Sequence, residues 1–196
     1  QDEPPFVQRQ ALRVAEKRAI AKAAVKRLQP GQMVFIDAGT TTAILAEELS
    51  LISRLVVVTN SITVALKLAG TQATAGSMRV VLLGGDTNPE IPCTYGEVTL
   101  NEIRRYRADV TLLSPVGISA EDGVTFGNEH EASLATAMAQ QSSSLVVLAD
   151  YSKIGLRSRY AVACPPSQQT LITNAHAANT EALQALNDQG VAVIPV

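Results

Sequence analysis

The sequence Val34-Phe35-Ile36-Asp37-Ala38-Gly39-Thr40-Thr41-Thr42 joins a short apolar run to a helix-like segment through an acid, a glycine and three threonines. This order predicts a buried strand, a turn and the first turn of a helix. Backbone N–H groups at a helix start, together with the helix dipole and the threonine hydroxyls, can hold an anion such as a phosphate. The same residues are also explained if Thr40 or Thr41 caps the helix and Asp37 fixes the turn.

Strand and helix patterns alternate along the chain on both sides of this stretch. Apolar runs bounded by turn residues predict strands at 33–37, 55–58, 79–83, 109–113, 145–149, 171–173 and 191–196. Helical patterns lie between them, one ending at 68 and the others over 41–49, 97–105, 129–141 and 180–187. This alternation predicts an α/β fold with a mostly parallel, Rossmann-like sheet, right-handed crossovers and helices on both faces. We expect residues 1–196 to form a single domain.

Polar residues and glycines follow the strands of the predicted sheet, at the edge where ligands of such sheets bind. Asn60 has an amide suited to sugar hydroxyls, although a helix cap would be an equally ordinary role. Gly84-Gly85 would let the backbone approach a ligand, or would simply form a tight turn. Lys153 is a compact cation for a phosphate, a catalytic group if desolvated, or a solvated loop lysine.

The positive charge is concentrated near the start of the chain. Seven of the 16 Lys and Arg residues lie between Arg9 and Arg27, against a single acid, Glu16, and apolar residues recur there at helical spacing. This pattern predicts a basic helix within residues 1–30, either as a solvated amphipathic face or as a contributor to a nearby DNA backbone. The formal net charge of -2 gives no reason to expect that the whole chain binds nucleic acid or an anionic membrane.

The cysteines and histidines do not predict a disulfide framework or a metal site. Cys93 and Cys164 lie far apart, as do His130 and His176, and no Cys-x-x-Cys or Cys/His cluster is present. No apolar run approaches the ~20 residues of a membrane helix. We therefore expect a cytoplasmic protein that needs no cofactor and no metal.

Taken together, these segments resemble the C-terminal effector-sensing domain of the DeoR family of bacterial transcriptional regulators. The similarity covers nearly the whole chain, and its strength lies in the order and spacing of the segments more than in any single motif. The segments that carry it are Pro5-Phe6 with Arg9, Glu16-Lys17 with Ile20-Ala21, Ile36 to Thr42, Val58-Thr59-Asn60-Ser61, Leu83-Gly84-Gly85, Gly117-Ile118, Gly123, Glu131 with Met138, and Leu148 to Gly155.

The resemblance implies a sensor of a phosphorylated sugar, on the fold shared with ribose-5-phosphate isomerases and CoA transferases. In the family, a winged helix-turn-helix domain precedes the sensor and binds operator DNA, commonly as a repressor of sugar metabolism genes. The basic helix within 1–30 would connect that missing domain to the sensor. The resemblance also implies a homodimer or a homotetramer.

The resemblance further implies roles for single residues. The effector phosphate would be bound by Asp37, Gly39, Thr40, Thr41 and Lys153, and the effector sugar by Asn60, Gly84, Gly85, Glu131 and Asp150. Two departures from the family pattern are present. Ala132-Ser133 stands where members often have Lys-Arg after the glutamate, and Ser114-Pro115-Val116 replaces the more usual Gly-Ala ahead of Gly117.

Two other functions are compatible with this fold. A sugar-phosphate isomerase would need a base next to the substrate carbonyl, and Asp37, Asp86, Glu131 and Asp150 are possible bases. These acids do not form a cluster that resembles the isomerase motifs, so we expect a sensor without catalytic residues. An oligomerisation module with a vestigial pocket is the third possibility.

Overall fold

The computed structural model describes residues 4–49, 52–71 and 78–196. A seven-stranded sheet in the order β12-β11-β9-β6-β1-β2-β3 forms its centre, and every neighbouring pair in it is parallel. The strands of this sheet are β1 (Met33–Ile36), β2 (Val56–Thr59), β3 (Arg79–Leu82), β6 (Ala108–Leu113), β9 (Ser142–Leu148), β11 (Gln169–Thr173) and β12 (Ala192–Pro195). The mostly parallel α/β sheet predicted from the alternation of elements is therefore confirmed.

Helices cover both faces of the sheet because alternate strand residues point to opposite sides. Ile36 and Leu112 pack with the first three long helices, whereas Phe35 packs with residues of the later helices on the opposite face. The helices are α1 (Phe6–Gln10), α2 (Val14–Val25), α3 (Thr40–Leu49), α4 (Ile62–Thr71), α5 (Glu97–Ile103), α6 (Glu129–Gln140) and α7 (Thr180–Asp188). In the part of the chain described, no helix is both long and apolar enough to cross a membrane.

The basic segment near the N-terminus contains the helix α2, and a separate short helix, α1, precedes it. The chain breaks between α1 and α2 because Arg13 adopts a left-handed backbone conformation, with φ of 51°. A left-handed residue cannot continue a right-handed helix. The helical spacing of apolar residues gives no sign of this break, since it is set by a single backbone angle.

Two small antiparallel sheets were not predicted. One pairs β4 (Asp86–Thr87) with β5 (Thr94–Tyr95). The other joins β7 (Gly117–Ser119), β8 (Gly123–Phe126) and β10 (Tyr160–Ala161). β4, β5 and β10 have only two residues each, and in β7 and β8 the apolar residues are interrupted by glycine, serine or threonine, so none of them shows the apolar run that identifies the strands of the central sheet.

Candidate functional site

A cavity of about 280 Å³ lies beyond the carboxyl ends of the central strands, where parallel sheets bind their ligands. The start of α3 forms one wall, and the turn after β9 forms another. Residues from α1, α2 and the break between them form a third wall. Four of the ten predicted site residues line this cavity, namely Thr40, Thr41, Asp150 and Lys153.

The wall at the start of α3 is built as the sequence predicts. Thr40 and Thr41 line the cavity in the first turn of the helix, where backbone N–H groups have no partner within the helix. The turn itself is fixed by Thr42, whose hydroxyl donates to the carbonyl oxygens of Asp37 and Gly39 at 3.0 and 3.1 Å. Thr42 thus stabilises the turn that leads into the cavity-lining residues Thr40 and Thr41.

Gly39 allows two loops to approach each other at this wall. A Cβ atom at Gly39 would lie 2.7 Å from the Cβ of Ser114, closer than side chains can pack. Ser114 also donates its backbone N–H to Oδ2 of Asp37 at 2.9 Å. The loop after β1 and the loop after β6 are therefore held together, and Ser114 itself lines the cavity.

Asp37 lies behind this wall and not on the cavity surface. Its Oδ1 is buried and has no hydrogen-bond partner among the described residues. Burial disfavours the charged form of Asp37 and is the main reason that its pKa rises to about 7. The negative charge of Glu131 also raises this pKa, whereas the hydrogen bond from Ser114 lowers it. Asp37 thus changes protonation state close to neutral pH.

The turn after β9 supplies an acid and a cation. Asp150 is buried, and its Oδ1 accepts hydrogen bonds from the backbone N–H and the hydroxyl of Ser152 at 3.0 and 2.5 Å. These bonds shape a single 3₁₀ turn over Tyr151–Lys153. As a result Ser152 and Lys153 face the cavity beside Asp150.

Sequence reasoning missed the third wall, which contains three basic residues. Lys17 is only 4% exposed, and its Nζ donates to the carbonyl oxygen of Arg9 at 2.7 Å. Burial is the main cause of a lowered pKa of Lys17. The positive charges of Lys153, Arg9 and Arg13 lower this pKa further, whereas the negative charge of Asp150 raises it. A signal was available, because Lys17 falls on the same helical stripe as the buried residues Ile20, Ala21 and Ala24.

The charges around the cavity favour an anion. Four basic side chains line it, from Arg9, Arg13, Lys17 and Lys153, against the single carboxylate of Asp150. The positive end of the α3 dipole points to the same place. A dianionic group such as a phosphate monoester would offset this excess of positive charge.

Asn60, Gly84 and Gly85 do not line the cavity, and the structure ties them to the segment around β4, β5 and α5. Nδ2 of Asn60 donates to the carbonyl oxygen of Thr94 at 3.0 Å, while its Oδ1 is buried without a partner among the described residues. The N–H of Gly84 donates to Oε2 of Glu102 at 2.7 Å. Gly85 has φ of 141°, and a Cβ there would lie 2.5 Å from a backbone oxygen, so a glycine is required for packing alone.

Glu131 lies in the first turn of α6, away from the cavity lining but close enough to Asp37 and Cys93 to raise the pKa of both. Asp37 and Glu131 thus supply acceptors behind the α3 wall, and the unpartnered oxygen of Asn60 supplies another near β5. Hydroxyl groups are the donors that such acceptors suit. Of the predicted sugar residues, Asp150 lines the cavity, Glu131 lies near Asp37, and the other three belong to the segment around β4, β5 and α5.

Comparison with known proteins assigns the chain to a family. The DeoR C terminal sensor domain matches residues 12–175. The chain is 30% identical over 194 residues to the putative aga operon transcriptional repressor of Escherichia coli O157:H7, covering 99% of this chain and 70% of that protein. It is 33% identical to the HTH-type transcriptional repressor GlcR of Bacillus subtilis and 30% identical to the glycerol-3-phosphate regulon repressor of Escherichia coli K12, covering 81% and 77% of this chain. It spans only 59% and 58% of the length of those two relatives.

Solved structures share the fold at low sequence identity. Ribose 5-phosphate isomerase from Plasmodium falciparum aligns with a TM-score of 0.50 and 17% identity, covering 70% of this chain and 51% of that one. The eIF2B beta subunit from Chaetomium thermophilum aligns with a TM-score of 0.51 and 14% identity, covering 74% and 40%. These similarities confirm the isomerase-like fold and carry no information about activity.

Proposed function

Because this chain belongs to the DeoR family of transcriptional regulators as a C-terminal sensor domain, we propose that it senses a phosphorylated sugar. The relatives are named as regulators and repressors, so the domain is regulatory and not an enzyme. The isomerase alternative therefore rests on the shared fold alone. We propose that the ligand is a phosphorylated sugar and that it binds in the cavity.

The observation that carries the proposal is the excess of positive charge around a cavity at a helix start. Thr40 and Thr41 present hydroxyls and the first N–H groups of α3 on one side. Lys153 and the buried Lys17 stand on the other walls. Such an arrangement binds a phosphate through charge-assisted hydrogen bonds, which are about twice as strong as neutral ones. In this placement the phosphate lies over Thr40 and Thr41.

The sugar would extend from the phosphate toward acceptors for its hydroxyls. Asp150 lines the same cavity, Asp37 and Glu131 lie behind its α3 wall, and Asn60 lies against Thr94. Oδ1 of Asp37 and Oδ1 of Asn60 are buried without a hydrogen-bond donor among the described residues. Buried acceptors without donors are costly, and a sugar hydroxyl would supply the missing donor. Access to these residues requires that the side chains between them and the cavity move when the ligand binds.

The proposed output is a change in operator binding. In this account a DNA-binding domain precedes the sensor, and the basic segment with α1 and α2 connects the two. The effector acts by binding more tightly to one of two arrangements of the whole regulator, typically with ~1–3 kcal/mol of coupling. One relative is named as repressor of the glycerol-3-phosphate regulon, which supports a phosphorylated metabolite as the class of signal.

Self-association into a homodimer or homotetramer is part of the proposal. β3 forms one edge of the central sheet, and it ends in Leu82, which is 45% exposed. Leu66 on the adjacent α4 is 69% exposed. An open edge strand beside exposed leucines is typical of an interface between copies. Light scattering on the purified chain should show the mass of a dimer or a tetramer. The mass of a monomer at all concentrations would contradict the proposed self-association.

The test of the proposal is thermal unfolding of the purified chain against a panel of ligands. The panel contains glycerol 3-phosphate and pentose and hexose phosphates, each paired with its unphosphorylated form, together with inorganic phosphate. A ligand at ~100 times its Kd should stabilise the fold by about 2.7 kcal/mol, which raises the midpoint of unfolding. We expect stabilisation by a phosphorylated sugar and none by its unphosphorylated partner.

Two variants make this test specific to the cavity. Lys153→Ala removes a cation that lines the cavity, and the stabilisation by the phosphorylated sugar should be lost or strongly reduced. Lys22→Ala removes an exposed lysine on α2 and should leave the stabilisation unchanged. Equal stabilisation of both variants, or stabilisation by unphosphorylated sugars alone, would contradict the proposal.

A further inference from the structure

Arg13 has an unusual backbone at the break between α1 and α2. Its φ is 51°, and among the described non-glycine residues only Arg54 shares a positive φ. A left-handed conformation at a residue with a Cβ is unfavourable and persists when its surroundings impose it. Arg54 is exposed and does not line the cavity, whereas Arg13 does line it. The strained residue that needs an explanation is therefore Arg13.

The side chain of Arg13 is positioned but not fully satisfied. Its guanidinium lies over the ring of Tyr151, 5.2 Å from the ring centre. Its Nε is buried and donates no hydrogen bond within the described part of the chain. Oδ1 of Asp150 forms an ion pair with this nitrogen at 3.7 Å, a distance too long for a hydrogen bond, and it already accepts hydrogen bonds from Ser152. A donor N–H therefore stands in the cavity wall without an acceptor.

We propose that Arg13 is a ligand of the effector anion and that its left-handed backbone links the occupied cavity to the direction of α1. This inference rests on the proposed function and adds to it the element that carries the signal. An oxygen of the anion gives Nε its acceptor, and the planar guanidinium can donate a second hydrogen bond to the same group.

The link to α1 follows from which residues form the wall. Pro4, Arg9 and Leu12 line the cavity on one side of Arg13, and Lys17 lines it on the other. The segment before α2 thus lies against the cavity along its length, and an anion bound to Arg13 fixes the angle at which α1 leaves α2. The ligand would favour this arrangement because the cations Arg9 of α1 and Lys17 of α2 both face the cavity in it.

The test compares the two left-handed arginines. Glycine adopts the left-handed conformation without strain, so Arg13→Gly and Arg54→Gly should both fold. The probe is inorganic phosphate, with sodium chloride at equal ionic strength as the control. The readouts are the phosphate-induced shift in the midpoint of unfolding and hydrogen exchange of the backbone amides of residues 6–12. Arg13→Asn is a second variant without the guanidinium, and asparagine also adopts the left-handed backbone conformation.

We expect phosphate to raise the midpoint and to slow amide exchange in residues 6–12 of the unaltered chain and of Arg54→Gly. In Arg13→Gly and Arg13→Asn the phosphate affinity should fall by about tenfold or more, and amide exchange in residues 6–12 should no longer respond to phosphate. An unchanged phosphate response in both Arg13 variants, or an equal loss in Arg54→Gly, would overturn the inference.

The outcomes separate this inference from the proposed function. If Lys153→Ala loses the phosphate response while the Arg13 variants keep it, the cavity binds the anion and the role of Arg13 is wrong. If the unaltered chain responds neither to inorganic phosphate nor to any sugar phosphate, the proposed function fails and the role of Arg13 fails with it.

Discussion

Replacing Asp37 by asparagine should flatten the dependence of stability on pH. Asp37 is buried, one of its oxygens has no partner, and its pKa rises from 3.8 to about 7. The folded chain therefore keeps this proton up to about pH 7, whereas the unfolded chain releases it near pH 3.8. The contribution of Asp37 to the free energy of unfolding is fully present below pH 3.8 and is lost as the pH rises toward about 7.

The size of the effect follows from the pKa interval. The interval from 3.8 to about 7 covers about three pH units, each worth about 1.36 kcal/mol, so ionisation of Asp37 costs the fold about 4 kcal/mol at most. Between pH 5 and pH 8 only the interval from pH 5 to about pH 7, about two pH units, lies below the pKa of folded Asp37. The free energy of unfolding should therefore fall by about 3 kcal/mol over this range because of Asp37. Asp37→Asn keeps an acceptor for the N–H of Ser114 but cannot ionise.

Urea unfolding at pH 5 and pH 8 measures this difference. The unaltered chain should lose about 3 kcal/mol more stability than Asp37→Asn between the two values. Asp188→Asn makes the same chemical change at an exposed site and should follow the unaltered chain. Parallel profiles for the unaltered chain and Asp37→Asn would refute the reasoning, because Asp37 would then be ionised in the fold without cost.

Three further substitutions test the packing and charge of the site. Gly39→Ala places a Cβ 2.7 Å from Ser114 and should cost about 1–3 kcal/mol in chemical unfolding, with recovery in the double variant Gly39→Ala/Ser114→Gly. Lys17→Met removes a desolvated cation, so the ligand-free chain should be no less stable in thermal unfolding while calorimetry shows weaker binding of a sugar phosphate. Ile20→Ala leaves a cavity at a fully buried position and should cost about 2–5 kcal/mol in urea unfolding, without changing which ligand stabilises the fold.

The sequence predicts the large elements because each has a clear pattern. Val34, Phe35 and Ile36 form a continuous apolar run and become β1, buried on both faces. The glycine and threonines that follow place the start of α3 at Thr40, one residue before the predicted start. The parallel order of the sheet then brings the ends of β1, β6 and β9 to one edge, which is how Thr40 and Lys153 come to line the same cavity.

The rest of the site depends on features that a sequence pattern does not contain. Arg13 and Lys17 line the cavity, and the left-handed backbone of Arg13 sets the start of α2, on which Lys17 lies. Asn60 and Gly85 follow strands as predicted, yet their contacts are with Thr94 and Tyr95 of an unpredicted hairpin. Position after a strand thus identifies the edge of the sheet where the cavity lies, but it does not say which of the residues there line the cavity.

A crystal structure of the chain with a stabilising sugar phosphate tests the central claim most directly. We predict that the phosphate lies over the start of α3, within hydrogen-bond distance of the backbone N–H groups or hydroxyls of Thr40 and Thr41, with Lys153 in contact. A phosphate bound at another surface, with this cavity still closed by its own side chains, would contradict the account.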